Sequence, residues 1–72
     1  MEKVISVRTT KDDYNKVMSV IRLHSKRWFR VVSHETHNDI IFACSIWKFN
    51  RCKRALKLTQ LLGIDIEVEI WA

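Results

Sequence analysis

The chain has no proline and a single glycine, Gly63, in 72 residues. A flexible linker or disordered tail needs a polar stretch rich in Gly, Ser or Pro. With 47% hydrophobic residues and no such stretch, nearly the whole chain is expected to be ordered. It has two cysteines, Cys44 and Cys52, too few for the dense disulfide framework of a small secreted domain. The longest apolar run, Ile40-Ile41-Phe42-Ala43-Cys44, falls far short of the ~20 residues of a membrane span. The opening Met1-Glu2-Lys3 leads straight into a strand pattern, with no apolar signal segment. These absences point to one small, soluble, cytoplasmic domain over residues 1–72, with both thiols reduced.

Acidic residues are also scarce where the bases are dense. Residues 1–57 hold all thirteen Lys and Arg but five of the eight acids, a formal charge of +8. Asp65, Glu67 and Glu69 make the remainder acidic. An acidic partner responds to such a local field rather than to the average of +5.

Periodicity supplies the elements. Val4 to Arg8 alternates and is β-branched, the pattern of a strand. Thr10-Lys11-Asp12-Asp13 has the form of a shortened capping box. Tyr14, Val17, Met18 and Ile21 follow at helical spacing, predicting a helix from about Lys11 to Ser25. Trp28 to Ser33 and Ile40 to Trp47 read as strands around a polar turn, His34 to Asp39. Asn50 is placed to cap a second helix with a buried stripe of Cys52, Ala55, Leu56, Thr59 and Leu62. Gly63 stands where a helix-ending glycine belongs, and Ile64, Ile66, Val68 and Ile70 alternate with acids in a last strand.

The order β-α-β-β-α-β is most simply buried as a ferredoxin-like α+β sandwich. Right-handed crossovers then place two helices on one face of a four-stranded antiparallel sheet ordered 4-1-3-2. This topology gathers two basic segments at one pole. The first carries Arg22, Lys26, Arg27, Trp28 and Arg30, and the second Trp47, Lys48, Phe49, Arg51, Lys53, Arg54 and Lys57. Bases at a helix start oppose its dipole, so helix stability does not explain their presence there. Lys26, Arg27, Arg30, Lys48, Arg51, Lys53, Arg54 and Lys57 are therefore the candidate nucleic-acid-binding set. The ordinary alternative is a solvated helix face that keeps a small protein in solution. The opposite pole, with the His34–Asp39 turn and Asp65, is polar to acidic.

The hairpin register that pairs Trp28 with Trp47 puts both on the open face of the sheet beside Ile41, Ala43 and Ser45, whereas a shift of one residue buries both indoles. They are candidates for a partner interface or for stacking bases. RNA-recognition-motif proteins share the element order, but their third strand needs a basic residue, Gly and spaced aromatics. Asp39 to Phe49 reads DIIFACSIWKF, without Gly. The fragment His34-Glu35-Thr36 resembles half of a two-histidine phosphoesterase signature, with no second copy. His34 and His37, with Glu35 and Asp39, invite an acid–base or metal reading, but a turn of this composition is ordinary loop chemistry. A four-ligand zinc site would have to add Cys44 and Cys52, which fall on buried faces, so no metal, cofactor or catalytic residue is expected. Asp65, Glu67 and Glu69 are spaced to pair across strands with Arg8.

Two functions follow as expectations, with a small nuclease using His34 or His37 trailing both. The first is a small non-enzymatic regulator that binds nucleic acid, RNA in preference to DNA, through the basic pole. The second is an inhibitor or antitoxin-like factor, of a kind common in phages and mobile elements. It would bind a nucleic-acid-handling enzyme through the sheet face and a strand edge. Edge pairing also leaves homodimerisation open.

Overall fold

The computed structural model describes residues 1–25 and 28–71. Its elements are β1 (Glu2–Thr10), α1 (Tyr14–His24), β2 (Phe29–Ser33), β3 (His37–Ser45), α2 (Phe49–Leu61) and β4 (Ile66–Ile70). The strands form one antiparallel sheet in the order β2-β3-β1-β4, the expected ferredoxin-like arrangement. Alternation along the two central strands turns Ile5 and Val7 of β1 and Ile40 and Phe42 of β3 toward the helices. There they join Val17, Met18 and Ile21 of α1 and Cys52 and Leu56 of α2 in one core. Full burial of side chains of this size contributes ~1.5–3 kcal/mol apiece, and these few must carry a chain this short.

The first helix is shorter than its pattern suggests. Asp13 donates its backbone N–H to Thr10 Oγ1 at 3.3 Å, which closes a turn ahead of the helix instead of capping it. At the far end the Ser25 hydroxyl donates to the Ala43 carbonyl and ties the helix exit to β3. Buried Thr9 and Asn38 mark the polar end of the helix-facing side. Lys11 Nζ reaches across to Asn38 Oδ1 at 3.0 Å and Ser33 Oγ at 2.6 Å, so that end is satisfied.

The hairpin differs from the expectation. His34 N–H bonds to the His37 carbonyl at 2.9 Å, so Glu35 and Thr36 alone form the loop. His37, Asn38 and Asp39 belong to β3, and β3 ends at Ser45 rather than Trp47. Pairing is therefore Phe29 with Phe42 and Ser33 with Asn38. That register is four residues from one pairing Trp28 with Trp47. An even shift keeps every side chain on its face. Trp28 remains on the open face, opposite Ala43, while Trp47 lies beyond the strand.

The second helix begins at N-cap Lys48, without a side-chain cap, and Asn50 lies inside its first turn. Cys52, Leu56 and Thr59 are buried, but Leu62 is 81% exposed. The helix ends at Leu61, and Gly63, at φ +93°, swings the chain away before Leu62 reaches the core. In β4 Ile66 is buried, whereas Val68 and Ile70 are part-exposed because no strand lies beyond them. Gln60 donates from its side-chain amide to the Ile66 carbonyl at 3.0 Å, fastening that edge to α2.

Candidate nucleic-acid interface

The start of β1, the end of β3 and the start of α2 share one end of the sheet, since Glu2 is paired with Ser45 and α2 follows within four residues. Five cations occupy ten residues here: Lys48, Arg51, Lys53, Arg54 and Lys57, all exposed. Among the described residues, none of the five is within salt-bridge distance of a carboxylate. The first turn of α2 contains no acid, so its free N–H groups add to the positive field.

Lys53, Arg54 and Lys57 converge on one feature. With Gln60 they rim a groove of about 410 Å³ between α2 and the β4 edge, floored by Leu56, Val68 and Ile70. Arg51 stands three positions before Arg54, a near-full helical turn, but Arg51 does not line this groove. Lys3, absent from the sequence-based set, belongs to the same end. Its ammonium lies 5.5 Å from the Phe49 ring, and that of Lys53 lies 5.2 Å from it. Phe49 thus draws a β1 cation toward an α2 cation. Lys3 immediately precedes the alternating run from Val4, which is the signal that would have placed it on β1.

The other candidates fall differently. Lys26 and Arg27 lie outside the described residues. Arg30 is at this end of β2 but on the open face, paired with Ile41, and so is separated by the sheet from the α2 groove. Arg22 of α1 lies 5.7 Å over the ring of Phe29. Trp47, 90% exposed, stands in the turn leading into α2.

Trp28, half exposed, does not pair with Trp47 but belongs to a row across the open face. Trp28 meets Ala43, Ala43 is paired with Val4, and Trp71 N–H bonds to the Val4 carbonyl at 2.8 Å. Trp71 therefore occupies the opposite margin, a residue legible from the β4 alternation but missed. Trp28, Trp71, Val4, Ile41 and Arg30 line a shallow depression of about 340 Å³.

At the opposite end, Arg8 Nε donates to Asp39 Oδ1 at 3.0 Å, so Arg8 is committed to β3 rather than to the acids of β4. Glu67 faces Arg8 in register and contributes through its field. The hydrogen bond from Arg8 holds the Asp39 carboxyl below its usual range, against the cost of its partial burial, and His34 adds to the lowering. His34 Nε2 is 3.0 Å from Asp39 Oδ2, and the His34 and His37 rings stack at 4.4 Å. Cys44 and Cys52 are both buried; burial, with Cys44 beside it, pushes the Cys52 thiol up to about 12.

No protein-family model matches the chain, and no curated protein matches it. Among solved structures it is similar to the de novo designed protein Foldit4, with a TM-score of 0.52 at 11% identity. That likeness covers 100% of this chain and 98% of the designed one, and it extends to the fold alone.

Proposed function

We propose that the protein is a small non-enzymatic cytosolic regulator that binds nucleic acid, RNA in preference to DNA, through α2 and the groove beside it. The observation that carries this reading is the set Lys48, Arg51, Lys53, Arg54 and Lys57, five cations without a carboxylate partner among the described residues. Cations that serve only solubility are commonly interspersed with acids, and unpaired bases crowded on one helix cost stability. A phosphate backbone supplies the missing counter-charge and releases its own counterions on binding. Exposed Trp47 beside the α2 start offers a stacking surface for an unpaired base, which favours a single strand over a duplex. Lys26 and Arg27 are retained in the proposed set by their place in the chain, between α1 and β2. Arg30 is a contributor from the open face.

A second reading is favoured by the open sheet face. Half-exposed Trp28 and Trp71 flank Val4 and Ile41, an apolar surface suited to a protein partner such as a nucleic-acid-handling enzyme. Fluorescence anisotropy with labelled single-stranded RNA, duplex RNA and duplex DNA over a salt series tests the two. Binding that weakens steeply with salt and is strongest for single-stranded RNA supports the first reading. Absence of binding to all three at low salt overturns it and leaves the protein-interface reading.

A further inference from the structure

The end of the sheet remote from α2's start holds a second grouping of chemistry-bearing side chains. One potential ligand atom each from His34, His37 and Asp39 lies within 4.8 Å of the other two. His34 Nε2 is 3.0 Å, and His37 Nε2 4.0 Å, from the same oxygen, Asp39 Oδ2. Ligands bound to a zinc-sized ion at ~2.0–2.2 Å sit roughly 3.0–3.5 Å from one another. Closing the set onto one ion therefore takes ångström-scale side-chain movement.

Two further features point to a cation. His37 Nε2 is buried and has no hydrogen-bond partner among the described residues, although its ring is part-exposed. Its Nδ1 is 3.4 Å from Thr36 Oγ1, so a proton on Nδ1 has an acceptor and the Nε2 lone pair is left for a metal. Arg8 holds Asp39 through both oxygens, Nε donating to Oδ1 at 3.0 Å and Nη2 to Oδ2 at 3.4 Å, and this fixes the carboxylate with Oδ2 also 3.0 Å from His34 Nε2. The Arg8 charge is itself opposed by Glu67 and Glu69 as well as Asp39, three carboxylates around one guanidinium. Beside His37 runs a depression of about 220 Å³, lined also by Asp65 and Glu67, with room for water to complete a coordination shell.

We propose that His34, His37 and Asp39 bind one divalent ion of the zinc class, leaving at least one coordination position to water. Two imidazoles and a carboxylate suit such borderline ions better than Ca²⁺ or Mg²⁺, which prefer all-oxygen shells. Binding moves the His34 proton from Nε2 to Nδ1 and replaces the His34–Asp39 hydrogen bond with two metal bonds. The ion then joins the end of β2 to the first residues of β3. Cys44 and Cys52 take no part, being buried on the helix side.

The test is isothermal titration of the tag-free, chelator-treated chain with Zn²⁺, alongside Mg²⁺. The expected result is one Zn²⁺ per chain, no Mg²⁺ binding, and a thermal midpoint raised by Zn²⁺ and returned by chelator. His37→Ala and Asp39→Asn, each verified as folded by circular dichroism, should weaken Zn²⁺ binding at least tenfold, while Cys44→Ser leaves it unchanged. Absence of Zn²⁺ binding, or equal binding by the His34→Ala/His37→Ala double variant, overturns the proposal. None of these changes touches the α2 groove, so the result is independent of nucleic-acid binding.

Discussion

Neutralising Lys53, Arg54 and Lys57 to glutamine should separate the demands of binding from those of folding. The three side chains rim the α2 groove, are exposed, and form no salt bridge among the described residues. Glutamine is nearly as good a helix former as lysine or arginine. Lys53 and Lys57 stand four residues apart on one helix, and relieving that repulsion is worth ~0.2–0.5 kcal/mol. Loss of the Lys53–Phe49 contact, worth ~0.5–1 kcal/mol at an exposed site, offsets that relief, so the triple variant should unfold in urea within about 1 kcal/mol of the parent. Binding should respond far more strongly. For a single strand each neutralised phosphate contributes about −0.7 to the slope of log K against log salt, so losing three contacts flattens it by about 2. Counting the five α2 cations alone, the parent should lose roughly a hundredfold in affinity between 50 and 200 mM salt, against less than about tenfold for the variant, and contacts from Lys26, Arg27 and Arg30 steepen both slopes equally. Anisotropy with a short single-stranded RNA at four salt concentrations measures both slopes. An unchanged slope would refute the assignment of these cations to phosphate contacts, and loss of folding would refute the claim that stability did not select them.

Other outcomes follow from the same geometry. Gly63→Ala meets no atom within 4 Å but forces a side chain onto φ +93°, so it should cost about 1–2 kcal/mol of stability by urea unfolding. Cys52 should resist thiol reagents in the native state. Because its thiol holds its proton to about 12 when folded and to about 9 when unfolded, stability should fall as pH rises from 9 toward 12, and Cys52→Ala should reduce that slope. Asp39 behaves in the opposite sense. Its carboxyl is depressed by Arg8, so the stabilisation is present above the ordinary carboxylate range and is lost on acidification through the folded value. The stability difference between the parent and Arg8→Gln should therefore shrink as pH falls, and a difference constant with pH would contradict the pairing.

The strand order, the α1 stripe and the last strand were legible because burial on one face imposes a period that polar residues cannot imitate. The hairpin was not legible in the same way. His37, Asn38 and Asp39 have loop composition, yet Asp39 finds Arg8 and Asn38 finds Lys11, and those cross-strand partners admit them to β3. Which polar residues find partners is decided between strands, so a linear reading lengthens the turn and carries Trp47 into the strand. Leu62 failed for a related reason: helical spacing continued the stripe, while the glycine one residue later had already ended the helix. The charge of the α2 start follows from topology plus composition, while strand alternation divides it from Arg30. The alternation that turns Phe29 and Val31 toward the helix side sends Arg30 to the other face. The His34, His37 and Asp39 grouping was obscured because residues three and two apart read as ordinary turn chemistry until a two-residue loop folds them together.

The most direct measurement is an amide NMR titration of the labelled protein with a short single-stranded RNA. Shifts concentrated over residues 47–57 and at Val68 and Ile70, fading as salt is raised, are the predicted result. Shifts confined to Val4, Trp28, Ile41 and Trp71 on the open face, or none at low salt, would contradict a phosphate-binding α2.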